Sequence, residues 1–207
     1  DACIAELFQY MRDRGKFEDT LIFILGDHGE NIGDHGLMGH QYSVHDTLVH
    51  IPLIFKPPIT DAESRSIQHR VSSLDVPATV AEFLPGENQS VKSFINQQKG
   101  ELISENSKRR SPVFAEYLNP MPPISRLEIR FQNDSFDVSQ YDCALRAVYL
   151  QNWKLIRESD GETKLYNIVE NPYETTNKSS EFPSKVTEIE QILDEISKQY
   201  DDDYTGR

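Results

Sequence analysis

The run Thr20-Leu21-Ile22-Phe23-Ile24-Leu25 is continuous, apolar and rich in β-branched residues, and it breaks off into Gly26-Asp27-His28-Gly29-Glu30. A run without polar alternation is the pattern of a strand buried on both faces, as in a parallel sheet. Its abrupt end sets a carboxylate and an imidazole just past the carboxyl end of that strand. In open α/β sheets this is the edge at which ligands bind. Five of the six histidines fall between residues 28 and 50, and glycines interrupt them from Gly26 to Gly39. Glycine lets backbone approach a ligand closely.

The flanking sequence continues an α/β alternation. Ala2, Ala5, Leu7-Phe8 and Met11 recur with helical spacing and stop at Gly15. A second apolar run, Ile51-Pro52-Leu53-Ile54-Phe55, is closed by Pro57-Pro58, and Ser73-Leu74-Asp75-Val76-Pro77 opens a helix running to about Leu84. Between Pro85 and Pro112 the composition turns polar, as in an exposed connection. Beyond it, Val113–Tyr117, Ala144–Leu150, Trp153–Arg157 and Lys164–Ile168 read as short strands in the close succession of an antiparallel meander. Ser184 is placed to cap a helix whose Val186, Ile189, Ile192-Leu193 and Ile196 form one apolar stripe, to be packed on that sheet. The expected organisation is an α/β unit over 1–86 carrying the histidine-rich loop, a polar connection over 87–112, and a small antiparallel sheet with a C-terminal helix over 113–207.

Composition narrows the function classes. With 37% hydrophobic and 27% charged residues, 207 residues can bury a core. A net charge of −13 repels a phosphate backbone and an anionic membrane surface, which argues against nucleic-acid and membrane partners. No apolar run approaches the roughly 20 residues of a spanning helix and the first residues do not resemble a signal peptide. The expectation is a soluble chain, with the cytoplasm slightly favoured. Cys3 and Cys143 stand far apart and form neither a disulfide framework nor a Cys-x-x-Cys clip. The acidic tail Asp201-Asp202-Asp203 reads as a solvated end.

Asp27 and His28 offer one oxygen and one nitrogen ligand to a divalent cation, and two ligands leave a site open. The pattern alone leaves equal room for Asp27 as a turn cap and His28 as a satisfied polar residue.

The order of helix, apolar strand, Gly-Asp-His-Gly-Glu, Gly33-Asp34-His35-Gly36, Gly39-His40 and Ile51-Pro52-Leu53-Ile54 resembles the second half of sulfatases and the related phosphonate monoester hydrolases of the alkaline phosphatase superfamily. Ser73–Thr79 is similar to the helix that follows there. Arg146-Ala147-Val148, Trp153-Lys154-Leu155-Ile156, Leu165-Tyr166-Asn167 and Glu170-Asn171-Pro172-Tyr173-Glu174 resemble the closing sheet and its acidic proline turn. The resemblance implies the C-terminal part of an alkaline-phosphatase-like α/β sandwich with a small antiparallel α+β subdomain. It implies metal-dependent hydrolysis of a small-molecule or carbohydrate sulfate ester. Phosphodiester or phosphonate monoester hydrolysis is the alternative, and a non-catalytic remnant or binding subunit a third reading. Asp27 and His28 take the positions of metal ligands. His40 falls where the family places a cationic residue, commonly lysine, on the sulfate or leaving oxygen. The implied cation is calcium, with manganese or another transition metal as the alternative that a nitrogen ligand favours.

His35 is read as a loop-structuring residue, His50 as a packing or ion-pair residue beside His45 on a short helix, and His69 as surface. The family's nucleophile is a formylglycine made from Cys or Ser in Cys/Ser-x-Pro-x-Arg, accompanied by two further metal-binding Asp. Cys3-Ile4-Ala5-Glu6 and Cys143-Ala144-Leu145-Arg146 do not match that motif. Formylglycine is therefore expected only in an N-terminal half absent from this sequence, the chain alone is expected to be inactive, and that half or self-association would cover the bare sheet edge.

Overall fold

A computed structural model describes residues 1–58, 64, 66–67, 69–83, 112–120, 124–125 and 138–205. The predicted polar connection lies outside the described residues apart from Pro112. The chain divides into two compact units, Asp1–Gly26 with Pro52–Ser111, and Asp27–Ile51 with Pro112–Arg207. The histidine-rich loop is thus grouped with the C-terminal sheet.

In the first unit, α1 (Ala2–Asp13) ends where the sequence places its stop. Gly15 adopts φ 60°, its amide donates to Arg12 O and that of Lys16 to Met11 O, so two of the free carbonyls of the last turn are satisfied. Strand β1 (Ile22–Leu25) pairs with β4 (Leu53–Lys56), Ile22 opposite Lys56 and Leu25 opposite Leu53. The pair is antiparallel, which corrects the parallel reading. A continuous apolar run reports which faces avoid water and carries no information on strand direction. The expected burial is corrected too: no β1 residue is fully buried, and Leu25 and Ile54 are exposed. Phe23 stacks on Phe55 with ring centroids 5.0 Å apart, and Phe55 meets Phe83 of α3 (Asp75–Phe83). The start of α3 is fixed by Asp75, whose carboxylate accepts from Ser72 N at 2.7 Å.

In the second unit, β5 (Val113–Tyr117), β6 (Leu145–Leu150), β7 (Trp153–Glu158) and β8 (Thr163–Asn167) form the expected antiparallel meander in sequence order. Strand alternation sorts its side chains onto two faces. Val148, Leu155 and Leu165 meet Ile189 and Leu193 of α4 (Pro183–Thr205), flanked by Val186, Ile192 and Ile196, so the apolar stripe packs where its period places it. Leu145, Ala147, Ile156 and Tyr166 on the other face pack with Val44 of the histidine-rich segment. The sheet therefore serves as a floor for that segment. The reading of Ser184 as the cap of α4 is corrected: Val186 N donates to Phe182 O, which makes Phe182 the capping position and Pro183 the first helical residue. Proline suits that position because its φ is preset and no amide is lost. No helix among the described residues is long and apolar enough to cross a membrane.

Leu193 is fully buried. Leu193→Ala should lower unfolding free energy by about 2–5 kcal/mol, read from urea titration of the fluorescence of Trp153, whose ring packs on Phe182 at 5.0 Å.

Candidate functional site

Asp27 and His28 follow β1 directly. The Asp27 carboxylate is exposed and accepts from His28 N at 3.1 Å. Its own and the His28 backbone amides, and then the neighbouring His28 ring, hold its pKa below the ordinary aspartate value. His28 Nδ1 lies 2.8 Å from Gly29 O. A carbonyl can only accept, so Nδ1 carries a proton, and in the neutral ring the lone pair then lies on Nε2. Nε2 stands 3.7 Å from Asp27 Oδ2. That is too long for a hydrogen bond and within what two ligands of one cation span at metal–ligand distances of about 2.0–2.6 Å. A second-sphere carbonyl on the far nitrogen is the usual support of a metal-binding imidazole.

A tight hairpin brings the remaining donors to the same place. Strand β2 (Asn31–Ile32) pairs with β3 (Met38–Gly39), Asn31 opposite Gly39. The turn is pinned by Asp34, whose carboxylate accepts from Ile32 N at 2.9 Å, and by Gly33 at φ 95°. Glu30 and His40 flank the paired residues, and Glu30 Oε2 lies 3.2 Å from His40 Nδ1. The His40 ring stacks on that of His28 with centroids 4.3 Å apart. His28, Glu30 and His40 thus present convergent donors at the surface, with Asp27 adjacent. This donor set fits a divalent cation, and it is incomplete for calcium, which takes six to eight oxygens.

Beneath the exposed donors the loop is fastened to α2 (Asp46–Val49). Gly29 N donates to Leu48 O at 2.8 Å, and a Cβ at Gly29 would fall 1.9 Å from Thr47 O. Only glycine fits there. Asn31 is fully buried and accepts from Thr47 Oγ1 at 2.6 Å.

Helix α2 is in turn held by a buried ionic cluster. Lys154, fully buried on β7, places Nζ 2.7 Å from Asp46 Oδ1 and 2.7 Å from Glu174 Oε1. Tyr149 donates its hydroxyl to Asp46, and Asp46 N donates to Glu174 Oε2 at 2.7 Å. His45 Nδ1 lies 3.2 Å from the same Glu174 oxygen. Burial raises the Glu174 carboxyl, but the His45 hydrogen bond, the Lys154 charge and hydrogen bond and the Asp46 amide together bring it down to about 2. His35, in left-handed backbone at φ 53°, lies flat on the His45 ring at 3.6 Å. Burial, and then the neighbouring His45, lower the His35 pKa.

The structure therefore gathers Asp27, His28 and His40 in one place. It sets His35 and His45 in a second cluster below, has His50 end α2, and leaves His69 in the other unit. Sequence reasoning missed Glu30, Asp46 and Lys154 and saw in Glu174 only an acidic turn. One signal was available: Lys154 stands among Trp153, Leu155 and Ile156 in a strand with apolar residues on both faces, where an ammonium needs a carboxylate.

A family model described as Sulfatase matches residues 1–86. PehA of Trinickia caryophylli, a multifunctional alkaline phosphatase superfamily protein, is 27% identical over 189 residues, which cover 86% of this chain and 34% of its own length. Arylsulfatase K of Bos taurus is 26% identical over 203 residues, 95% of this chain and 34% of that one. Among solved structures, the phosphonate monoester hydrolase of Agrobacterium radiobacter matches 94% of this chain and 38% of that chain with a TM-score of 0.64 at 18% identity, a likeness of fold. The fold is that of the alkaline phosphatase superfamily. Within it, residues 1–86 resemble the sulfatase family. The chain spans about a third of the length of the curated relatives it matches.

Two outcomes follow from this geometry. Gly29→Ala should destabilise the second unit by about 1–3 kcal/mol or more, read by thermal denaturation, because the new methyl must displace backbone. The folded pKa of Glu174 lies below the ordinary 4.5, so its contribution is present above that value and lost as pH falls from 4.5 towards 2. Stability measured across pH 6 to 2 should fall less steeply in Glu174→Gln than in the native chain.

Proposed function

We propose that this chain supplies part of the catalytic centre for metal-assisted hydrolysis of sulfuric esters. The observation that carries the reading is the commitment of His28 Nδ1 to the Gly29 carbonyl, which leaves Nε2 free beside the Asp27 carboxylate at the end of β1. Asp27 and His28 would hold a divalent cation, calcium by kinship or manganese by the chemistry of a nitrogen ligand. Such a cation, when bound, supplies charge stabilisation to the ester oxygens and lowers the pKa of a nucleophile. With Nδ1 of His40 engaged by Glu30, Nε2 is the nitrogen left to face a sulfate or leaving oxygen. Stacking on His28 fixes the plane of that ring. The nucleophile, a formylglycine by kinship, and further acidic ligands come from polypeptide outside these 207 residues, and the same polypeptide would cover the exposed sheet. The substrate is a small-molecule or carbohydrate sulfate ester.

A phosphonate or phosphodiester substrate is the second reading. It is favoured by the histidine at position 28 and by the kinship to PehA.

The test is hydrolysis of an aryl sulfate, an aryl phosphate diester and an aryl phosphonate by the purified chain with calcium or manganese, together with Mn²⁺ affinity by calorimetry. The chain should bind Mn²⁺, should lose at least tenfold in affinity in Asp27→Ala, and should turn over none of the esters. Turnover abolished by Asp27→Ala would show the centre complete and name the ester. Affinity unchanged in Asp27→Ala sinks the metal assignment.

A further inference from the structure

We infer that Glu174, far along the chain in the turn before α4, is a positioning residue for the metal-binding loop; the inference rests on the reading of Asp27 and His28 as ligands. Glu174 touches none of the exposed donors. Its carboxylate instead holds α2 at two points, Asp46 N at 2.7 Å and the ring of the capping His45 at 3.2 Å, and meets Lys154 Nζ of β7 at 2.7 Å, which grips Asp46 in turn. Helix α2 then holds the loop from below through Leu48 O on Gly29 N and Thr47 Oγ1 on Asn31. Gly29 and Asn31 bracket Glu30, and Gly29 follows His28. Any tilt of α2 is therefore passed to the donors, since the contact at Gly29 leaves no room for a Cβ and hence none for slippage.

The arrangement is costly to keep. Glu174 sits in left-handed backbone at φ 50° with its side chain 1% exposed, and His35, stacked on the same cluster, is also left-handed. Strain of this kind persists where surroundings over-determine it, which is common at sites needing fixed geometry. His35, His45 and Glu174 also lie close enough to hold a cation themselves. Lys154 already sits on that carboxylate, so the cluster's charge is met from within the chain.

The test compares Glu174→Gln with Leu193→Ala, which weakens the opposite face of the same sheet. Amide hydrogen exchange is read over residues 27–50 and over β6–β8, and Mn²⁺ affinity by calorimetry. Glu174→Gln should speed exchange of Gly29 and of residues 45–50 at least tenfold, with β6–β8 unchanged, and weaken Mn²⁺ about 10–100-fold, the range for outer-sphere partners of metal ligands. Leu193→Ala should do neither selectively. Equal loop exchange in the two variants, or loss of protection in β6–β8 together with the loop, overturns the positioning role. A native chain without Mn²⁺ affinity sinks the metal assignment instead, and the exchange comparison still decides the role of Glu174.

Discussion

A lysine ammonium with no access to water governs the second unit. Lys154 Nζ is buried on β7 and can exist there only because Asp46 and Glu174 each approach it to 2.7 Å. Desolvating three charged groups costs several kcal/mol for each, and an ion pair in low dielectric recovers this only when the remaining donors and acceptors are satisfied. Here the Tyr149 hydroxyl donates to Asp46, the Asp46 amide donates to Glu174, and the His45 ring lies 3.2 Å from the same Glu174 carboxylate. Removing Lys154 would leave the two carboxylates together without their ammonium. The cluster is thus specific about geometry even where its net stabilisation is small.

That specificity explains why a loop dense in glycine and polar residues is ordered. Five glycines between Gly26 and Gly39 give the segment much conformational freedom and little apolar surface. Val44 and Leu48 are its buried apolar anchors. The rest of its order comes from hydrogen bonds to α2 and from the ionic cluster under α2. The exposed donors can then stay polar, hydrated and free to exchange ligands while the backbone beneath them stays fixed.

Much of this was legible in the sequence, for reasons that can be named. The meander and the stripe on α4 have strict periods of two and 3.6, so the strands at 113–117, 145–150, 153–158 and 163–167 and the helix face fall close to where the pattern sets them. Asp27 and His28 were visible because they interrupt an apolar run. Strand direction was not visible, because β1 and β4 are joined by a long excursion whose path no local pattern encodes. Glu30 and His40 meet only through a two-residue ladder, and Glu174 meets Asp46 across 128 positions. Contacts of that separation leave no periodic trace.

The difference in separation also orders the assembly of the unit in time. Strands β6, β7 and β8 close short hairpins, and α4 follows after one further turn, so these elements can form from local contacts. Docking of α2 instead closes a span of 108 residues between Asp46 and Lys154. The chain entropy lost in that closure is recovered only when the cluster is complete. On sequence separation alone, the sheet and its helix are expected to form as a floor first and the donor loop to lock onto it last. In the folded protein the same asymmetry is expected to make the loop the first part to lift away, through openings that leave the sheet intact.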